Sequence, residues 1–288
     1  SDLKNRPEIV ALSKCEGVDE DIIKIQAGGV AGAFYAIQTL RQIFKQDEIP
    51  CLYIKDYPDF SYRGFYHDVT RGKVPKVETI KKLIDDMAYY KLNSLQLYVE
   101  HTFEFKEFSD SIERTGYLSA GEIREIDAHC QENFIEFIPS IATFGHLYEL
   151  LEKDRYKHLQ AIENFESGEF FWENRMMHHT IDPRQPESIE IIKSLIDQYA
   201  PNFTTDIFNI CGDETFDLNS TSDDPEEVGR LYVEFVEKII AHVKSRGKKV
   251  MMWSDILLKH PETIEKRLDE LEVIRKEFGP SDQEVLVS

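Results

Sequence analysis

From Tyr62 onward the chain repeats one pattern, and that pattern restricts its fold more than any other feature. A short apolar run of strand length is followed by a helical stretch, and the pair recurs at intervals of about 30–45 residues. The strand-like runs are Gly64–Val69, Leu95–Val99, Phe134–Pro139, Ile207–Cys211 and Lys249–Trp253, with the start of a sixth at Glu284–Ser288. Between the first two, Val77, Ile80, Leu83, Ile84 and Met87 fall on one face of a helix over residues 77–90. Ser119 with Glu122 three residues later reads as a capping box. Leu147–Leu151 reads as a short helix, and Pro186 opens a longer one through Tyr199. Asp223 or Asp224 starts another, with Pro225 and two glutamates in its first turn, Lys244 and Arg246 in its last and Gly247 just beyond. A further helix follows Pro261. Such units imply parallel strands joined by right-handed crossovers. The rhythm alone does not choose between an open doubly wound sheet and a barrel, and a closed barrel needs eight units.

Residues 1–58 read differently. Ile22–Ile25 and Leu52–Ile54 are short strands, and residues 31–44 carry an amphipathic helix with Ala33, Phe34, Ile37, Leu40, Ile43 and Phe44 in register. Gly28, Gly29 and Gly32 lack the spacing of a phosphate-binding loop and are read as turn residues. The expected organisation is the end of a small α/β domain over 1–58, then a larger α/β domain over 59–288.

With 288 residues, 41% of them hydrophobic and 31% charged, the chain is long enough for a substantial core. The net charge of −20 argues against nucleic acid and anionic membranes as partners, since both would be repelled. No apolar run is long enough to span a bilayer. No secretory signal is visible, and Cys15, Cys51, Cys130 and Cys211 show no paired spacing, so the expectation leans toward reduced thiols and the cytoplasm.

The chemistry is expected after the fourth strand. There Ile210-Cys211-Gly212 leads into Asp213-Glu214. Strand ends are where barrel enzymes present catalytic groups. The chain has 54 acidic residues, however, so two adjacent acids on their own are equally well read as solvated. Neighbouring acids on a regular strand point to opposite faces. They can act together only where the pleat breaks, and Gly212 eases that break. His146 follows the third strand and Trp253 ends the fifth, so each can belong to a site at the strand ends or serve structure, His146 as a satisfied histidine and Trp253 in core packing. Asp68 and Arg71 read as an internal ion pair. Adjacent His178 and His179 do not share a face, so no metal site is expected from them. Trp172 fits either a lid or simple loop packing.

Taken in order, several motifs resemble glycoside hydrolase family 20, the β-N-acetylhexosaminidases. They are Gly32-Ala33-Phe34-Tyr35 with Gln38–Gln42, Asp56–Gly64 followed by Asp68 and Arg71, Pro139 through Phe144-Gly145-His146, Cys211-Gly212-Asp213-Glu214, and Trp253-Ser254-Asp255. The sequence departs from the family pattern at Asn209, where a histidine is usual, and at Cys211, where the first of two glycines is usual. It also has Glu100-His101-Thr102 where two aspartates are common, which makes Glu100 the candidate supporting carboxylate. The resemblance implies a (β/α)8 TIM-barrel type domain, incomplete here, whose later tyrosine and tryptophans lie beyond Ser288 and whose remaining strands a second chain could supply. It implies release of terminal β-linked N-acetylglucosamine or N-acetylgalactosamine with retention, without a cofactor or metal. The substrate's own 2-acetamido oxygen would be the nucleophile. Asp213 would orient that acetamide and Glu214 would be the general acid, then the base. Arg63, Glu100, His146 and Trp253 would contact or support the sugar. The alternatives are a non-catalytic sugar-binding relative, an inactive fragment, or a hydrolase of another barrel family with the same mechanism, in which paired aspartates are typical.

Overall fold

The computed structural model describes residues 10–14, 23–45, 52–110, 116–162, 175, 178–253 and 256. The chain divides into two compact units. The first comprises Ser1–Phe65, Val77–Leu95 and Ala128–Glu136, and the second Tyr66–Lys76, Gln96–Asp127 and Phe137–Ser288.

The first unit opens with β1 (Val10–Lys14), β2 (Ile23–Ala27), α1 (Val30–Ile43) and β3 (Tyr53–Asp56). The strands form an antiparallel sheet in the order β2-β1-β3, with Leu12 opposite both Ile25 and Ile54. Helix α1 covers one face through Ala36, fully buried with Leu40 and Ile54 packed on it. The unit continues through α2 (Val77–Tyr89), whose Tyr89 carbonyl accepts from Gln42 Nε2 at 2.8 Å. It thus takes in more than residues 1–58.

A second sheet is built from β4 (Gly64–Asp68), β5 (Ser94–Val99), β6 (Glu136–Ile141), β7 (Ile207–Asn209) and β8 (Lys249–Met251). Its spatial order is β4-β5-β6-β7-β8, and β6, β7 and β8 pair in parallel. A doubly wound sheet reverses its strand order at a switch point. Here spatial order follows chain order throughout, which is the arrangement of a barrel wall. The fold is α/β, and the chain covers part of a (β/α)8 barrel. Every residue of β5 is buried, as expected of a strand covered on both faces.

The second unit adds the larger part of α3 (Ala120–Glu132), whose residues from Ala128 on belong to the first unit, then α4 (Tyr148–Leu151), α5 (Pro186–Tyr199) and α6 (Pro225–Ser245). Helix α5 buries Ile191, Ile192, Leu195, Ile196 and Tyr199 along one stripe. Helix α6 buries Tyr232, Phe235 and Ile239, and Phe144 stacks on Tyr232 with ring centroids 5.4 Å apart. That packing fixes the turn after β6. No described helix is long and apolar enough to cross a membrane.

Most element boundaries match the expected ones within two residues, and the differences have local causes. Strand β6 starts at Glu136, not Phe134, because α3 ends in a left-handed turn at Phe134 (φ 55°). There Ile135 N donates to Cys130 O and Phe134 N to Gln131 O, which satisfies the last helical carbonyls. Strand β7 ends at Asn209, so Cys211 lies past the strand. Strand β1 was not expected at all. The expected helix after Pro261 and strand at 284–288 lie outside the described residues.

Candidate active site

The site is built where β6, β7 and β8 end. Beyond β7 the backbone turns left-handed at Cys211 (φ 56°), Gly212 (φ 80°) and again at Glu214 (φ 47°). The pleat therefore breaks where the two acids begin, and alternation no longer sends them to opposite faces. Asn209 secures the break: its Oδ1 accepts from Cys211 N at 2.9 Å, and its Nδ2 donates to Gln96 Oε1 at 2.8 Å. Tyr232 donates its hydroxyl to Gly212 O at 2.8 Å. Neighbouring strand ends are stitched to the same turn, with Thr143 Oγ1 donating to Ile210 O at 2.6 Å and Trp253 N to Cys211 O at 3.0 Å. The turn after β6 comes close only because residue 145 is glycine. A Cβ there would lie 2.7 Å from Asp213 O.

The next residue, His146, is also left-handed (φ 58°) and its imidazole is 3% exposed. Its Nε2 lies 3.2 Å from Glu214 Oε2 and 3.6 Å from Asp213 Oδ2. Burial opposes a charge on this ring, but the two carboxylates outweigh it and raise the imidazole to about 9. The acids themselves are open to solvent, with 25% of the Asp213 side chain and 39% of the Glu214 side chain exposed. These three residues are the one cluster of potential metal donors among the described residues, with donor atoms within 4.8 Å of one another.

Glu100, just past β5, is buried, and Arg175 Nη2 donates to its Oε2 at 2.8 Å. Tyr98 donates its hydroxyl to Glu100 Oε1 at 3.2 Å, and Arg71 Nε stands 4.0 Å from the same oxygen. Burial raises the Glu100 carboxyl above its usual range, and Arg175, His146 and Arg71 pull it back. Arg71 lies past the end of β4 and pairs with Asp68 at 2.5 Å, with its guanidinium 4.9 Å from the centre of the Tyr98 ring. Behind the acids, the Tyr66 and Ser140 hydroxyls are 3.0 Å apart, and Cys211 Sγ is 3.4 Å from Ser140 Oγ. Burial pushes the Cys211 thiol and the Tyr66 phenol up, so both are neutral. Half-buried Trp253 meets Tyr66 edge to face, with centroids 5.2 Å apart.

The second unit thus holds Glu100, His146, Asp213, Glu214 and Trp253 of the residues singled out from the sequence. Arg63 belongs to the first unit. Its Nε donates to Lys91 O at 2.9 Å and its Nη1 to Phe60 O at 2.7 Å and Ser61 O at 3.3 Å. It precedes its strand, whereas Arg71 follows the same strand. Among the described residues, Arg71 and Arg175 are the arginines at the acid end, and sequence reasoning did not assign either to the site. The position of Arg71 three residues past β4 could have found it. Arg175 sits in an excursion with no periodic pattern. His178 and His179 go to different carboxylates, His178 Nδ1 to Asp217 at 2.8 Å and His179 Nε2 to Glu152 at 3.0 Å. Trp172 lies outside the described residues.

Comparison with known proteins gives a consistent result. Residues 17–57 match the family described as Glycosyl hydrolase family 20, domain 2. A curated β-hexosaminidase of Porphyromonas gingivalis is 26% identical over 279 residues, covering 83% of this chain and 35% of that protein. The solved chitobiase of Flavobacterium johnsoniae is 26% identical with a TM-score of 0.71, covering 86% of this chain and 40% of the other. The exo-β-N-acetylglucosaminidase of Vibrio harveyi, solved with N-acetylglucosamine, is also 26% identical, with a TM-score of 0.69 and coverage of 85% and 44%. The chain spans less than half the length of each. Residues 60–271 of the 288 match Glycosyl hydrolase family 20, catalytic domain, and they include every residue of the acid cluster, so the chain belongs to glycosyl hydrolase family 20.

Proposed function

We propose that this chain carries the acid face of a retaining exo-glycosidase that removes terminal β-linked N-acetylglucosamine or N-acetylgalactosamine by substrate-assisted catalysis. The observation that carries the reading is the meeting of His146 Nε2 with both Asp213 and Glu214, 3.6 and 3.2 Å away, past the ends of two adjacent parallel strands. Glu214, the more exposed acid, gives its proton to the leaving glycosidic oxygen. It then takes a proton from the water that opens the cyclised acetamide intermediate. Asp213 accepts from the acetamide N–H, turns the acetamide oxygen toward the anomeric carbon and balances the positive charge that develops there. His146 is a positioning residue for both carboxylates. Glu100, neutralised by Arg175, backs this cluster, and Trp253 offers an aromatic face to the sugar. Arg71, with planar donors at the strand end, is placed to take sugar hydroxyls. We assign Arg63 to bracing the first unit, since its guanidinium is engaged by main-chain carbonyls. The division into a small domain over 1–58 and a barrel over 59–288 belongs to the same proposal.

Release of p-nitrophenol from the N-acetyl-β-glucosaminide tests it. The plain β-glucoside is expected to react far more slowly, and Glu214→Gln to lose most of the turnover, since the same group activates the water in the second step. Equal rates on the two sugars would sink the acetamide nucleophile, and an unchanged rate in Glu214→Gln would sink the acid. The second reading, a sugar-binding relative or an inactive fragment, has one observation on its side: the chain covers only 35% and 40% of the relatives named above. Saturable N-acetylglucosamine binding without turnover would favour it.

A further inference from the structure

The three donors that meet at the acid end have a separation that suits more than a proton. Zinc bonds of about 2.0–2.2 Å at tetrahedral angles place neighbouring donor atoms about 3.3–3.6 Å apart. His146 Nε2 stands 3.2 Å from Glu214 Oε2 and 3.6 Å from Asp213 Oδ2, and all three donors lie within 4.8 Å of one another. We propose that His146, Asp213 and Glu214 form a binding site for a divalent transition ion, Zn2+ in the first place, whose occupancy blocks the sugar site.

The donor set is one imidazole nitrogen and two carboxylate oxygens, ligand types that zinc accepts, and three protein donors leave the fourth position open. Mg2+ and Ca2+ take oxygen donors, so the imidazole discriminates against them. The histidine comes from one strand end and the acids from the next. The imidazole is 3% exposed, while the carboxylates face solvent, so an ion can enter from the acid side. The sequence hides this set, because His146 is far from Asp213-Glu214 along the chain and only the fold brings them together. On binding, the ion takes the place of the proton that Nε2 shares with the two carboxylates and leaves its fourth position to water. The blocking effect rests on the reading of Asp213 and Glu214 as the acids that receive the sugar. The binding does not.

Titration calorimetry of the 288-residue chain with ZnCl2, and with MgCl2 in parallel, tests the site. One tight Zn2+ per chain is expected, with no Mg2+ binding at the same concentrations. His146→Gln and Glu214→Gln, each close in shape to the native side chain, should weaken Zn2+ at least tenfold while the melting temperature shows that the chain remains folded. Unchanged Zn2+ affinity in the His146→Gln/Asp213→Asn double variant would overturn the proposal, as would Mg2+ binding of equal strength. The native chain gives a second measurement: on adding Zn2+, the ring signals of His146 should shift in nuclear magnetic resonance spectra before those of His129, His158 and His242. The reverse order would also overturn it. None of these measurements requires turnover, so they separate the ion site from the proposed hydrolase activity. Where turnover is present, Zn2+ should inhibit it competitively, and inhibition should weaken in His146→Gln to the extent that this variant still turns over.

Discussion

At Gly145 a single methyl group would reach the candidate chemistry. A side chain there would meet Asp213 O at 2.7 Å and Glu214 O at 3.3 Å, both main-chain atoms that cannot swing aside. Gly145→Ala is therefore expected to cost about 1–3 kcal/mol and to displace the acids. At Gly121, in the first turn of α3, a Cβ meets only Ser119 Oγ at 3.8 Å, so Gly121→Ala should be neutral or stabilising by up to about 1 kcal/mol. Denaturant titration of both variants checks the contrast. His146 sets a second expectation. Folding raises its imidazole from 6.5 to about 9, so the folded state binds the proton more tightly than the unfolded chain. The stabilisation is complete below pH 6.5 and is lost as pH rises through about 9. Denaturant midpoints measured across that interval should fall in the native chain and fall less in His146→Gln.

At the scale of elements, helix ends show how far the sequence could be read. Helix α6 stops at Gly247 (φ 75°), whose N–H donates to Lys244 O while Lys248 N donates to Val243 O. Glycine announces such a stop. Helix α2 makes the same pair of bonds around Lys91 (φ 63°), and α3 around Phe134 (φ 55°), with residues that do not announce it. The start of α3 was legible for the opposite reason: Glu122 N donates to Ser119 Oγ at 3.2 Å and Ser119 N to Glu122 Oε2 at 2.8 Å. Asp213, Glu214, His146 and Glu100 were likewise legible, because strand ends carry motifs. Arg175 was not, because no periodic pattern or motif marks its stretch of the chain. Its side chain is 12% exposed and that of Glu100 3% exposed, so the pair is a buried one. Arg175→Met alone should cost about 3–5 kcal/mol, because it leaves Glu100 uncompensated. Arg175→Met with Glu100→Gln should recover most of that, and thermal melts of the two variants distinguish the cases.

At the scale of the whole molecule, the strand–helix rhythm limited the fold to two architectures, and spatial strand order chose the barrel. That order is set by tertiary pairing, so periodicity could not show it. The same pairing has a consequence in time. Thr143 donates to Ile210 O across 67 positions of the chain, and this contact joins the turn that carries His146 to the one that carries the acids. Closing so long a loop costs chain entropy before any contact compensates for it, and parallel pairing is slow for that reason. Helices α4 and α5 lie within the closed segment and can form early from local contacts. The meeting of His146 with Asp213 and Glu214 therefore belongs to the late stage of folding, after β6 and β7 have found each other.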